Sequence, residues 1–127
     1  MKEDKNWRIS DSEWLVLRCL WKRSPLEIKE IQAMLRDTGW SGNMVRALVV
    51  RLLDKGVIGA ETGERYYRYY PIAREEDCVR QETESFVDRV FEGSAAKLFA
   101  AFAGSGRLSR KDRQEIAAML KELEEKE

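Results

Sequence analysis

The hydrophobic period of this chain changes near residue 56 and changes back near residue 71, and that constrains its fold more than any other feature. Up to Lys55 the apolar residues return every three or four positions: Trp14, Leu17, Leu20 and Trp21, then Ile28, Ile31, Met34 and Leu35, then Val45, Leu48, Val49, Leu52 and Leu53. That spacing predicts three short amphipathic helices. Gly56 stands where the third would be C-capped. From Val57 to Tyr70 the period falls to two, so Val57–Thr62 and Arg65–Tyr70 predict two strands around a Gly63-Glu64 turn, closed by Pro71. Three helices followed by a hairpin is the order of a winged helix-turn-helix, in which helix 3 enters the major groove and the hairpin is the wing.

Local signals mark the same boundaries. Residues 1–9 are polar and charged and read as a loose arm. Ser10-Asp11-Ser12-Glu13 has the S-x-x-E form of a capping box. Ser24-Pro25 ends the first helix, Asp37-Thr38-Gly39 ends the second, and Ser41 is the expected N-cap of the third.

Beyond Pro71 the helical period returns. Arg74 to about Glu92 carries Cys78, Val79, Phe86, Val87, Val90 and Phe91, and Gly93 interrupts it. Ala95–Ala103 carries Leu98, Phe99 and Phe102, and Gly104-Ser105-Gly106 breaks it in turn. Ser109 through Asp112 resembles another N-cap before Ile116, Met119, Leu120 and Leu123. These segments hold too few apolar positions for a core of their own and too many for a solvated tail. Burial against a second copy resolves this, with Val79, Phe86, Val90, Leu98, Phe102, Ile116 and Leu120 as the dimerisation residues. The alternative is that the segments fold back onto the first domain. The expected class is therefore α-rich (α+β). Residues 1–72 form an N-terminal winged helix-turn-helix with a hairpin or three-stranded wing, and residues 73–127 a C-terminal helical dimerisation region.

Composition narrows the function. The 127 residues suffice for one domain or two small units, and they include no histidine and only two cysteines, Cys19 and Cys78, far apart. Without His or a CxxC pair, a Cys/His zinc site is excluded, and the commonest general base is missing. Acidic pairs such as Glu75-Glu76 and Glu124-Glu125 read as solvated faces, so no enzyme, metal, cofactor or small-molecule ligand is expected. No apolar run approaches the ~20 residues that span a bilayer, and no signal-peptide core follows Met1-Lys2-Glu3-Asp4-Lys5. A reducing cytoplasm is the expected setting. Net charge is zero, yet residues 1–71 hold thirteen Lys/Arg against ten Asp/Glu, and residues 72–127 hold ten against thirteen.

A winged helix places the first turns of helix 3 at base edges, so Gly42, Asn43, Met44, Arg46 and Ala47 are the readout candidates. Arg46 suits guanine O6/N7, Asn43 suits adenine, and Met44 or Ala47 suits a thymine methyl. Ser41 and the helix N-terminus suit a phosphate. Arg51 reads either as a phosphate contact or as a solvated partner of Asp54. Arg65 and Arg68 on the wing would contact the DNA backbone without reading sequence. Trp14, Trp21 and Trp40 read as core or scaffold, with a phosphate contact as the second reading of Trp40. Tyr66 and Tyr70 alternate away from Tyr67 and Tyr69, so one pair packs on the helices while the other faces outward. A competing interpretation is a winged-helix protein-interaction module that binds no DNA. Arg46, Arg51 and Lys55 on helix 3, against Asp54 alone, speak against it.

Ile9-Ser10-Asp11-Ser12-Glu13-Trp14, Leu20-Trp21-Lys22, Trp40-Ser41, Val49 through Gly56, and Arg65 through Pro71 together resemble the penicillinase-repressor family, which includes repressors of β-lactamase and methicillin-resistance genes. The resemblance extends through Glu92-Gly93-Ser94 and Leu108-Ser109 and so covers essentially the whole chain. It implies a cytoplasmic homodimeric repressor that binds palindromic operators. It also implies relief of repression by proteolysis in the dimerisation region after a membrane-bound sensor responds. The bond aligned with the family's Asn-Phe cleavage site is Ala101-Phe102, where Phe102 matches and Ala101 does not. Gly42-Asn43-Met44 replaces the Pro-Lys-Thr run of the staphylococcal repressors, which implies a different operator sequence. Copper-sensing relatives carry a C-terminal cysteine cluster that this chain lacks.

Overall fold

Three helices and a hairpin form in the order the periodicity predicts. The computed structural model describes residues 6–127, with α1 at Asp11–Lys22, α2 at Ile28–Met34, a single 3-10 turn at Arg36–Thr38 and α3 at Gly42–Asp54. Strands β1 (Ile58–Thr62) and β2 (Tyr67–Pro71) follow, then α4 (Glu75–Phe91), α5 (Ala95–Gly104) and α6 (Arg110–Lys126). Of the expected loose arm, residues 1–5 lie outside the described residues. Trp7 and Ile9 are not loose, since both are half-buried and pack on the core.

Capping fixes where the helices begin. The Ser10 N–H donates to Glu13 Oε1 at 2.8 Å while the Glu13 N–H donates to Ser10 Oγ at 3.2 Å, a complete capping box. Ser41 Oγ accepts from the Met44 N–H at 3.1 Å. At the other end of α3, Gly56 sits at φ +75°, the left-handed region where a side chain is strained. That backbone lets Gly56 N–H reach Leu53 C=O (3.0 Å) and Val57 N–H reach Leu52 C=O (3.1 Å), which is a full Schellman closure.

The wing pairs Ile58 with Pro71 and Thr62 with Tyr67, antiparallel. The connecting loop is therefore Gly63–Tyr66 rather than the two-residue turn expected. Leu26 adds a one-residue third strand, exchanging backbone hydrogen bonds with Tyr69 at 3.0 and 2.8 Å. Only Tyr69 of the four tyrosines is buried. Tyr67 shares its face of the strand but is 60% exposed, because it pairs at the outer end of the hairpin, past the helices.

The chain divides into two compact units, one ending at Glu82 and the other beginning at Thr83. All buried residues among those described lie between Glu13 and Cys78. α3 supplies Val45, Leu48, Val49 and Leu52 to that core, and α1 supplies Val16, Leu17, Cys19 and Leu20. Trp14 and Trp21 sit at its rim, edge to face with ring centres 5.6 Å apart. Trp21 Nε1 donates to the Ala73 carbonyl at 3.1 Å, tying the chain leaving the wing to α1. Both cysteines are free and buried; burial raises the Cys19 thiol, and burial with the charges of Asp77 and Glu75 pushes Cys78 up to about 11. In the second unit none of the described residues is buried. Ser94 and Ser109 cap α5 and α6, and Phe86 meets Phe91 edge to face.

Among the described residues, one carboxylate lies inside the first unit. Glu13 is 1% exposed, and Lys55 Nζ donates to its Oε1 at 2.5 Å and to the Arg8 carbonyl at 2.7 Å. Burial alone would raise the Glu13 carboxyl, but the Lys55 hydrogen bond, the Ser10 N–H and the Lys55 charge outweigh it and hold the group below its ordinary value. A depressed native value stabilises the fold above the unfolded carboxyl's ~4.3 and loses that stabilisation as pH falls through the native value. Glu13→Gln is therefore expected to lower stability by about 2 kcal/mol at neutral pH, an effect set by the loss of a charged hydrogen bond. In thermal melts followed by circular dichroism, the gap between wild type and variant should close as pH falls below about 4.

Candidate nucleic-acid interface

α3 is amphipathic in a way that divides its work. With Val45, Leu48, Val49 and Leu52 inward, the opposite face presents Asn43, Met44, Arg46, Ala47, Val50, Arg51 and Asp54, all exposed. Among the described residues neither Arg46 nor Arg51 lies within ion-pair distance of a carboxylate. The pairing of Arg51 with Asp54 that the sequence allows is not formed, so Arg51 reaches solvent unneutralised. Lys55 is different. Its ammonium is held by Glu13 and the Arg8 carbonyl, so it does not belong to the basic face assigned to it from sequence.

The start of α3 is built by its neighbours. The Trp40 N–H donates to Thr38 Oγ1 at 3.1 Å, and Gln32 Nε2 donates to the Trp40 carbonyl at 3.3 Å. The half-buried Trp40 ring packs against the core, the scaffold reading. Gly42 lies close to the same glutamine, for a Cβ there would stand 3.3 Å from Gln32 Oε1. Its contribution is clearance rather than a side chain. The hydroxyl of Ser41 is engaged by Met44, which leaves the first N–H groups of α3 without intrahelical partners at its positive end.

The wing faces the start of α3 across a cleft of about 620 Å³, lined among others by Lys29 and Gln32 of α2, Arg46 of α3, and Arg65 and Tyr66 of the hairpin loop. Lys29 Nζ sits 5.9 Å from the Tyr66 ring centre, a cation–π distance. Arg65 is exposed. Arg68 is half-buried, and its Nε is a buried donor with no hydrogen-bond partner. Lys29 and Gln32 escaped the sequence reading because the α2 pattern marks only its apolar stripe. Val50 escaped it too, although its absence from the α3 stripe was the available signal.

The residues expected at a dimer interface fall on α4, α5 and α6. Val79, Phe86, Val90, Phe102 and Leu120 are exposed, and Leu98 and Ile116 are half-buried. Ala101 and Phe102 lie in the last turns of α5, both exposed. No helix among the described residues is long and apolar enough to cross a membrane.

A helix buried on one side and bare and basic on the other, beside a hairpin wing, defines a winged-helix DNA-binding protein. Comparison with known sequences agrees: residues 9–122 match the family described as penicillinase repressor. The chain belongs to that family, whose members are transcriptional repressors and not enzymes. It is 29% identical over 122 residues to the methicillin resistance regulatory protein MecI of Staphylococcus aureus, an alignment covering 93% of this chain and 97% of that one. It is 28% identical over 116 residues to the penicillinase repressor of Bacillus licheniformis, with 91% of each chain covered. Among solved structures, that of the DNA-binding domain of the repressor BlaI matches with a TM-score of 0.52 at 30% identity, covering 59% of this chain and 93% of that domain. The resemblance read from the ordered motifs is borne out.

The two faces of α3 should separate cleanly under mutation. Arg46→Ala and Arg51→Ala are expected to change stability by no more than about 0.5 kcal/mol, as exposed residues do. Leu48→Ala is expected to lower it by about 2–5 kcal/mol, as core truncations do. Urea unfolding of the three variants checks both.

Proposed function

We propose that this protein acts in the cytoplasm as a homodimeric repressor that occupies a two-fold operator and blocks transcription by its presence there. Residues 1–72 would serve as the DNA-binding domain and residues 73–127 as the dimerisation region. The observation that carries the reading is the outer face of α3, exposed, unpaired and positive, with its rear face locked in the core. In this assignment Arg46 and Asn43 read base edges, and Met44 and Ala47 lie against apolar base groups. Ser41, Gly42 and the free N–H groups at the start of α3 meet a phosphate, joined by Arg51, Arg65 and Arg68 and by Trp40 as the support beneath them. Two such helices in one dimer require half-sites separated by whole helical turns of about 10 base pairs.

Dimerisation is supported by α4–α6, whose Val79, Phe86, Val90, Phe102 and Leu120 stay exposed in a single chain. Covering them against a second copy removes that apolar surface from water. Cleavage at Ala101-Phe102 would detach α6 and part of this surface, and the two half-sites would then lose the effective concentration that one dimer provides. The bond lies inside helical backbone, so a protease would need the last turn of α5 to open locally. Gly104 and Gly106 beside it favour such opening, and a membrane-bound sensor upstream of that protease completes the proposed pathway.

Fluorescence anisotropy of the full chain on duplex from upstream of its own gene tests the reading. Affinity is expected to fall steeply with salt, because bound Lys and Arg release counterions. Arg46→Ala is expected to weaken binding by about 1–3 kcal/mol and to relax preference at one base pair. Binding no tighter than to scrambled duplex, at every salt concentration, would overturn it. Sedimentation of the full chain beside a chain ending at Ala101 tests the second half: a dimer is expected for the first, and a monomer with reduced operator affinity for the second.

A further inference from the structure

The valines of α3 are not equivalent. Val45 and Val49 are buried, while Val50 is 48% exposed on the opposite side of the helix. Met44, Ala47 and Val50 follow one another at intervals of three and are all exposed, so they form an apolar ridge along the outer face. Asn43 and Arg46 flank that ridge on one side and Arg51 on the other. The one acidic residue of the outer face, Asp54, follows Arg51 at the very end of the helix, beyond the ridge. A basic-edged apolar ridge suits a second protein helix only if that helix brings acidic residues to pair the arginines it desolvates. It suits the major groove, where phosphates line both edges and the one apolar group on the floor is the thymine 5-methyl.

We infer that Val50, with Met44 and Ala47, makes α3 a reader of thymine methyl groups, so that each half-site carries thymines at closely spaced positions. The inference rests on the proposed operator binding and specifies what that binding recognises. Six residues of helix separate Met44 from Val50, a rise of about 9 Å. Base pairs stack about 3.4 Å apart, so the ridge spans roughly three steps. The methyls it meets lie within about four consecutive base pairs, on either strand. Val50 takes the methyl farthest from the helix N-terminus and Met44 the nearest. The polar residues along one side of the ridge, Asn43 and Arg46, read the hydrogen-bonding edges of the same pairs.

The test removes the methyl and nothing else. Duplexes that bind the full-length protein are selected from a random library, and each thymine of the selected half-site is replaced in turn by deoxyuridine, which keeps every hydrogen-bonding group. Burying one methyl is expected to be worth about fourfold in affinity, so at least one replacement weakens wild type by about that factor. Val50→Ala should weaken binding to the thymine duplex and be indifferent to that replacement, while Val50→Thr, which retains one methyl of the side chain, keeps part of the discrimination. Val50 is exposed, so neither variant disturbs the core. Equal affinity of wild type for thymine and deoxyuridine at every position overturns the inference while leaving operator binding intact. So does a methyl effect that persists undiminished in Val50→Ala at every position. If no duplex is selected at low salt, operator binding and the methyl contact fall together.

Discussion

α3 has to be held firmly from behind while nothing touches it in front, and most of the first unit follows from that constraint. Four aliphatic residues on its rear face enter the core, where α1 and α2 pack against them. Its C-terminal end is closed by Gly56 in a left-handed conformation, and the next residue, Val57, is buried and leads directly into the wing. Lys55, at the helix end, reaches back to Glu13 and Arg8, so a charged residue near the recognition surface is used to fasten α3 to the start of α1. Each of these contacts lies behind the helix or at its end. The front remains free because the chain has put its fastening elsewhere.

The wing is positioned by the same economy of contacts. Leu26 and Tyr69 exchange backbone hydrogen bonds, which joins the segment before α2 to the second strand. The Val57 carbonyl accepts from both Ile72 and Ala73, closing the base of the hairpin, and Trp21 fixes the Ala73 carbonyl from α1. The base of the wing is therefore rigidly part of the core, while its tip, with Arg65, Tyr66 and Tyr67, extends outward. Gly59 belongs to this arrangement: a Cβ there would stand 2.6 Å from the Tyr70 ring, so the ring reaches over the neighbouring strand only because the side chain is missing.

Much of this was legible in the sequence, for identifiable reasons. Helix 3 is legible because its stripe is aliphatic, sustained over two turns and bounded by Ser41 and Gly56, signals that act locally. The capping box at Ser10 and Glu13 was visible for the same reason. The burial of Glu13 was not, because its partner Lys55 is distant in sequence and no spacing rule connects them. Trp14 and Trp21 were placed with the first stripe, yet the buried side of α1 is turned toward Val16 and Cys19, leaving the two large rings to cover the rim. The wing turn is longer than Gly63-Glu64 suggests, because those two residues suffice only on local grounds. The register is instead set at the other end, where Ile58 meets Pro71 under the core. On the outer face of α3, the exposure of Arg46, Asn43 and Ala47 follows from helical geometry alone, whereas Lys29 and Gln32 come from another helix and are brought to the cleft only by folding.

The two thiols point to a property of the whole molecule. Cys78 is buried and its thiol is pushed up to about 11, so little of it is thiolate at neutral pH, and the thiolate is the form that oxidants and electrophiles attack. Both thiols, buried and raised, are therefore poor nucleophiles within the folded scaffold. In this fold cysteine is packing material, a small apolar group whose sulfur chemistry burial keeps out of play.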